Sequence, residues 1–494
     1  MFSNMLLGIQ IAFQFKLLLM TFAGVVAGVI IGCLPGLTSV MGVALLIPLT
    51  FGMDPAVGLA MLGGIYCAST YGGAISAILL NIPGTPSACV TVIDGHPLAL
   101  QGKSTQAISM ATLGSCVGGI FSTLILLFLA PPLAKISLLF SAQEYFLLAL
   151  LGITIIASFS EENVIKGLFA GCLGLLMSVV GMHPVTGFMR FTGGQAFLYD
   201  GIPLVVALIG FFSLPEVISM ISDTSRERAD IINYTGGNVF KYIKEIVSHW
   251  VIILKSSIIG TIIGIIPGAG TDIAAFMAYN EAKRQSKERE LFGKGAIEGV
   301  IASETANNAV VGGSLVPLLT LGIPGNAVSA IFLGALLIQG LKPGFELFNN
   351  NPEVVYGFIF SMFAANMLFV PVGFFVARFS SKLLKTPPAV LAPTIVVFAV
   401  IGSFAIRNNI EDLWLMLAMG VVGCFMQFFK VPIAPMVLGL VLGNMAEGEL
   451  ARAYALAGEN VWSLMGQFTS RPICIILLLA CVYSIWQGLK KKNN

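Results

Sequence analysis

The sequence predicts an all-α polytopic membrane protein, and three observations carry that prediction. Of its 494 residues, 57% are apolar and only 10% are Asp, Glu, Lys or Arg, against roughly 25% charged in an ordinary soluble domain. Apolar runs recur along the whole length, near 17–34, 56–82, 106–131, 143–159, 164–182, 201–221, 250–279, 299–341, 354–377, 388–405, 412–429, 431–445 and 472–487. At about 20 residues per crossing, they allow about 10–14 membrane segments. Third, the 55 Gly and 23 Pro cluster. Such clusters signal broken helices or re-entrant hairpins, which a bilayer tolerates only where backbone is buried or lines a cavity. So few charges could not cover a soluble surface of this size. A net charge of +2 gives no footprint for nucleic acid.

The elements follow in order. The first basic residue is Lys16, and no short apolar region ends in a small-residue cleavage site. The N-terminus therefore reads as an uncleaved helix and not a signal peptide. The longest polar stretch, Ser222 to His249, holds Arg226, Arg228, Lys241 and Lys244. It divides the chain into a first transmembrane repeat (1–221), a cytoplasmic linker (222–249) and a second transmembrane repeat (250–494).

One apolar run later come Lys283, Arg284, Lys287, Arg289 and Lys294. The positive-inside rule places both basic stretches in the cytoplasm, together with Arg378–Lys385 and the C-terminal Lys490–Lys492. A single crossing cannot join two cytoplasmic stretches. The run 250–279 is therefore expected to dip in and return at Pro267-Gly268-Ala269-Gly270, unless the charge signal on one flank is weak. The eight cysteines are scattered through apolar stretches without a C-x-x-C pair, and the three histidines lie far apart. Metal and redox chemistry get no support from them.

An internal repeat organises the chain. Gly32-Cys33-Leu34-Pro35-Gly36-Leu37-Thr38-Ser39 corresponds to Gly264-Ile265-Ile266-Pro267-Gly268-Ala269-Gly270-Thr271. Further on, Gly72-Gly73 and Leu80-Asn81-Ile82-Pro83-Gly84 correspond to Gly312-Gly313 and Leu321-Gly322-Ile323-Pro324-Gly325. Gly/Pro-interrupted segments at matching places in two halves point to the central site of a transporter, usually with the halves inverted.

These motifs resemble the large membrane subunit of the tripartite tricarboxylate transporters, the TctA family. The resemblance rests on G-C-L-P-G-L-T at 32–38, L-N-I-P-G-T-P-S at 80–87 with Asp94-Gly95, and S-E-T-A-N-N-A at 303–309. It continues through L-G-I-P-G-N-A at 321–327 to L-G-L-V-L-G at 438–443 and Glu447. Phe345 and Asn444 depart from the family pattern, where Pro is expected, at positions read as loop or helix end. The resemblance implies a secondary transporter for carboxylates such as citrate in a bacterial inner membrane. It also implies a small membrane subunit, a periplasmic solute-binding protein and a cation gradient, Na+ or H+, with no other cofactor. A homodimer is left open.

A carboxylate substrate needs positive partners. No Lys or Arg occurs between Lys16 and Lys103, or between Lys294 and Lys342, so these segments cannot offer a basic side chain. Broken helices can supply the charge instead, because each half-helix N-terminus presents unpaired N–H groups and a partial positive charge. Breaks at Pro35, Pro83, Pro267 and Pro324 would aim four tips at the substrate. The tips are Gly36, Leu37, Thr38 and Ser39; Gly84, Thr85 and Ser87; Gly268, Ala269, Gly270 and Thr271; and Gly325, Asn326 and Ser329. Simple kinks are the competing reading of any one motif.

For a coupling cation, Asn81, Asp272, Glu304, Asn307 and Asn308 offer oxygen ligands and form the candidate Na+ site. Glu304 could equally bridge packed helices, and Asp272 could be an N-cap. Asp94-Gly95 reads first as a turn, with a gating role as the alternative. Glu161, Glu162 and Lys166 read as a solvated loop.

Two other classes compete. An intramembrane aspartyl protease would pair Asp200 with Asp272, but the spacing G-A-G-T-D does not fit, and no G-x-S-x-G elbow occurs. The chain is therefore not expected to be an enzyme. A channel could also use broken backbone, although two copies in one chain suit alternating access better. The mechanism expected is cation-coupled symport by alternating access, elevator-type by analogy. An organic-anion carrier that works without a binding protein is the alternative.

Overall fold

A computed structural model describes residues 2–158, 164–183, 186–222, 232, 234, 236, 240–268 and 270–490. The first half runs α1 (Phe2–Ala12), α2 (Phe15–Cys33), α3 (Ser39–Leu46), α4 (Pro55–Leu80), α5 (Ala88–Leu98), α6 (Ser104–Ile136), α7 (Ala142–Ser158), α8 (Val164–Ser178) and α9 (Leu204–Ser222). Between α8 and α9, β1 (Gly181–Met182) pairs antiparallel with β2 (Met189–Arg190). The second half begins with α10 (Phe240–Ser248), α11 (Trp250–Ile265), α12 (Gly270–Gln285), α13 (Ile297–Leu321), α14 (Ala327–Ile338) and α15 (Phe345–Asn350). It ends with α16 (Pro352–Leu383), α17 (Pro388–Arg407), α18 (Glu411–Phe428), α19 (Ile433–Leu456), α20 (Val461–Ser470) and α21 (Pro472–Lys490).

Among the described residues, eight helices are long and apolar enough to cross a membrane, or up to ten if each of two bent pairs is one span. The count reaches the expected range at its lower end. Several other apolar runs form helices of 10–17 residues, among them Ser3–Ala12, Ala142–Ile155, Val164–Ser178 and Ala327–Ile338, too short to be counted as spans. Much of the expected linker lies outside the described residues, but 240–248 form α10, which meets α11 at 71°.

Small residues set the helix packing, as they do where backbones must approach closely in lipid. Gly24, Gly28 and Gly32 of α2 lie against Met61, Ile65 and Ser69 of α4, so the two helices run parallel. In the second half Gly260 and Gly264 of α11 lie in the same way against Ala306 and Val310 of α13. The long α6 runs parallel to α13, with Gly114 and Gly118 against Ile301 and Thr305. Between the halves, Tyr66 of α4 meets Ser314 of α13, while Asn307 donates to the Thr70 carbonyl. Those two contacts show that α4 and α13 run in opposite directions.

Both broken segments are hairpins. Lys255 near the start of α11 donates to Gln285 at the end of α12, so the chain turns back between them, as expected for 250–279. In the first half, Thr50 after α3 comes back against Gly58 near the start of α4. Three local expectations are corrected. Asp94-Gly95 lies inside α5 and is no turn. Asn444 lies mid-way along α19, whereas Phe345 does begin a helix. Lys166 belongs to α8 and donates to the Phe429 carbonyl at 2.7 Å; Glu161 and Glu162 lie outside the described residues.

Candidate substrate cavity at the broken helices

The repeated Gly and Pro residues build the same local geometry twice. Pro35 and Pro267 each follow a residue that leaves its helix in extended conformation, Leu34 (φ −80, ψ 115) and Ile266 (φ −79, ψ 115). Gly36 (φ 89) and Gly268 (φ 82) then turn the chain through the left-handed region. At the second break, Asn81 (φ 62) and Gly322 (φ 72) are matching left-handed caps. The sequence repeat is thus a repeat of backbone conformation.

Three strands of backbone cross where each hairpin tip meets the second break. A Cβ on Gly84 would stand 2.1 Å from the Gly32 carbonyl oxygen, and one on Gly325 would stand 2.5 Å from that of Gly264. Gly72 and Gly313 of the neighbouring long helices press on Gly32 and Gly264 in turn. No side chain fits there, which is the physical reason for glycine at these positions in both halves. One hydrogen bond ties the crossing in the second half, from the Gly268 N–H to the Gly325 carbonyl at 2.7 Å.

The four tips meet on one cavity of about 710 Å³. Its wall takes Thr38 and Ser39 from the start of α3, Thr85 and Ser87 before α5, Gly268, Gly270, Thr271 and Asp272 at the start of α12, and Asn326 before α14. Local capping explains the polar choices. Thr38 Oγ1 accepts from the Met41 N–H at 3.3 Å. Asn326 and Ser329 form a reciprocal capping box, each side chain accepting from the other's N–H at 2.9 Å. The Asn326 amide also donates to the Tyr66 hydroxyl at 2.7 Å.

Several expected residues do not line this wall. Gly36, Leu37, Gly84 and Gly325 shape the tips from behind, as do Pro35, Pro83, Pro267 and Pro324. Ser329 is fully buried in its cap, and Ala269 lies outside the described residues. Asn81 is exposed at the end of α4. Glu304, Asn307 and Asn308 are buried behind the wall. Glu304 accepts from Ser115 at 3.0 Å and from Thr91, joining α6 and α5 to α13. Asn307 donates to the carbonyl of Thr70, itself a wall residue, at 3.2 Å. Asp272 sits inside the first turn of α12, beyond the cap position.

Sequence reasoning missed other parts of the wall: Tyr66 and Thr70 of α4, Phe211, Phe212, Pro215 and Glu216 of α9, and Gln427 with Lys430 to Pro435 at the turn between α18 and α19. The one usable signal was the proline pair in V-P-I-A-P at 431–435. It marks a shaped turn beside an apolar helix, but it has no partner in the other half.

Asp94, for which the sequence offers a turn first and a gating role second, is the most heavily bonded carboxylate beside the site. It is fully buried. One oxygen accepts from the N–H groups of Gly293, Gly295 and Ala296 at 2.7, 2.9 and 2.9 Å. The other accepts from the Tyr279 hydroxyl at 2.8 Å. It fastens α5 of the first half to α12 and the chain entering α13.

With this geometry in place, comparison with known proteins is decisive. The model of the tripartite tricarboxylate transporter TctA family matches residues 18–438. The chain belongs to that family. An uncharacterised 52.8 kDa protein in the TAR-I ttuC' 3'region of Agrobacterium vitis is 37% identical over 493 residues, covering 97% of this chain and 95% of the relative. A second A. vitis protein, in the TAR-II ttuC' 3'region, is 38% identical over 226 residues, 45% of this chain and 92% of its own length. No solved structure matches. This TctA family protein is a multi-pass membrane subunit of a transporter.

Proposed function

We propose that this TctA family subunit carries di- or tricarboxylates such as citrate across a bacterial inner membrane by alternating access around the cavity. The single observation that supports this reading is the meeting of four half-helix N-termini, two from each half, on one cavity. Such tips bind carboxylate oxygens through backbone N–H groups and the helix dipole, without lysine or arginine. Thr38, Ser39, Thr85, Ser87 and Thr271 add hydroxyls. Asp200, which a protease pair would need, is exposed and lies outside the cavity wall.

The antiparallel α4 and α13 and the matched hairpins support an inverted repeat. Charge supports the orientation. Arg378 and Lys382 at the end of α16, Lys283 and Arg284 at the end of α12, and Lys103 after α5 fall on one side once the helix directions are followed. That side is the cytoplasm by the positive-inside rule, and it also takes the C-terminal end.

Partners and coupling complete the proposal. A periplasmic binding protein delivers the carboxylate, and a small membrane subunit completes the assembly. Na+ or H+ enters with substrate, because a multiply charged anion is costly to carry through the membrane unless cations offset it. Asp272 faces the substrate, while Glu304, Asn307 and Asn308 stand one layer behind, linked to the wall through Thr70 and α5. An elevator-like slide of the tips against α9, α18 and α19 is the motion we favour.

The test is uptake of labelled citrate by proteoliposomes holding this chain and its small subunit, with and without a Na+ gradient and binding protein. Uptake requiring both is the expected result. Asp272→Asn should reduce gradient-driven uptake by about tenfold, a typical size for linked binding. Gradient-driven uptake without the binding protein would favour the simpler carrier. Passive, non-saturating flux would overturn the transporter reading.

A further inference from the structure

Beyond the tips, the cavity wall includes the turn between α18 and α19, where Gln427 and Lys430 are exposed. That turn lies at the end of α9 that leads into the linker. α9 and α18 run parallel, with Gly210 against Met416 and Leu214 against Gly420, so Lys430 stands level with the last residues of α9. By the orientation proposed above, this exposed end of the cavity faces the cytoplasm.

Lys430 is the one basic residue on the cavity wall among the described residues. Its side chain is exposed and has no ion-pair partner there. Its backbone is held in the left-handed region (φ 52), where Gly or Asn is the low-strain choice at a helix C-terminus. The turn is also pinned. The Val431 N–H donates to the Met426 carbonyl at 2.7 Å, the Lys430 N–H to that of Gln427 at 3.0 Å, and Lys166 holds the Phe429 carbonyl. A strained position is thus kept rigid with an ammonium that has no ion-pair partner, on a wall whose other charged residues are Asp272 and Glu216.

We propose that Lys430 is the charge at the cytoplasmic end of the cavity, engaging one substrate carboxylate as it passes between the helix tips and the cytoplasm. This rests on the carboxylate-transport reading above. Half-helix tips spread weak positive charge over several N–H groups, whereas a full charge at the exposed end attracts a multiply charged anion over a longer distance. Being on one side, Lys430 makes the two directions of transport unequal.

The experiment is side-specific. Right-side-out membrane vesicles holding the full assembly are preloaded with unlabelled citrate, and labelled citrate exchange is measured as internal citrate is varied. Lys430→Gln should raise the internal half-saturating concentration by roughly fivefold, the scale of an exposed ion pair. It should also flatten the dependence on ionic strength and leave external half-saturation, measured with binding protein, unchanged. Lys430→Arg should restore both properties. An unchanged internal value with normal wild-type exchange would overturn the proposal alone. A shift in the external value instead would overturn it by placing that end of the cavity outside. Absence of wild-type citrate or other carboxylate exchange would remove the reading on which it rests.

Discussion

Asp94→Ala should be the most damaging single side-chain truncation around the cavity. It would leave three backbone N–H groups and the Tyr279 hydroxyl unpaired in a buried site. Each orphaned buried donor costs about 1–3 kcal/mol, so the four together are expected to cost several kcal/mol. The small methyl also leaves a void between α5 and the 293–296 segment. Asp94→Asn retains an oxygen for the N–H groups and should cost roughly half as much. The measurement is the thermal unfolding midpoint of the detergent-purified protein, alongside citrate uptake. A wild-type midpoint for Asp94→Ala would mean that the 293–296 segment finds other acceptors, and the fastening role would be lost. Because Ser87, just before α5, and Asp272, in the first turn of α12, both face the cavity, uptake should fall further than stability alone accounts for.

What the sequence displayed of this fold was backbone constraint. Glycine and proline announce themselves because a crossing at Gly32, Gly72 and Gly84 cannot hold a Cβ, and its second copy at Gly264, Gly313 and Gly325 repeats the signal. The same logic located the four tips, which do converge. Side chains recruited from uninterrupted helices were illegible. Tyr66 and Thr70 sit in α4 among residues of similar polarity, with no spacing to single them out. Asp94 misled for a physical reason: Asp next to Gly favours a turn by bonding its own backbone, whereas this carboxylate is claimed by N–H groups about 200 residues away. Glu304 was legible as a cation ligand or as a bridge between packed helices, but not which, because its partners Thr91 and Ser115 lie on other helices. Lys430 looked like an ordinary basic residue flanking a span. Only the direction of α18 relative to α9 brings it to the cavity.

Gly325→Ala should abolish transport, and the argument is one of space. Its added methyl would sit 2.5 Å from the Gly264 carbonyl oxygen and 2.9 Å from Ser314 Cα and Cβ. Rigid backbone lies on the first side and the core of α13 on the second, so neither can yield by a rotamer change. Overpacking of this kind costs about 1–3 kcal/mol, or more where backbone must move. The movement has a specific consequence. Gly325 accepts from Gly268 at 2.7 Å, so displacing it separates the tips of α12 and α14, which supply two of the four sets of N–H groups. Gly84→Ala meets the Gly32 carbonyl oxygen at 2.1 Å and should do the same to the other pair. The control is Gly340→Ala, with φ 73 but nothing within 4 Å; it should cost only the left-handed penalty of about 1–2 kcal/mol and keep transport. Uptake and unfolding midpoints measured on the three variants separate the effects. If Gly325→Ala transported like Gly340→Ala, substrate binding would not depend on the spacing of the tips, and the helix-tip site would have to be abandoned.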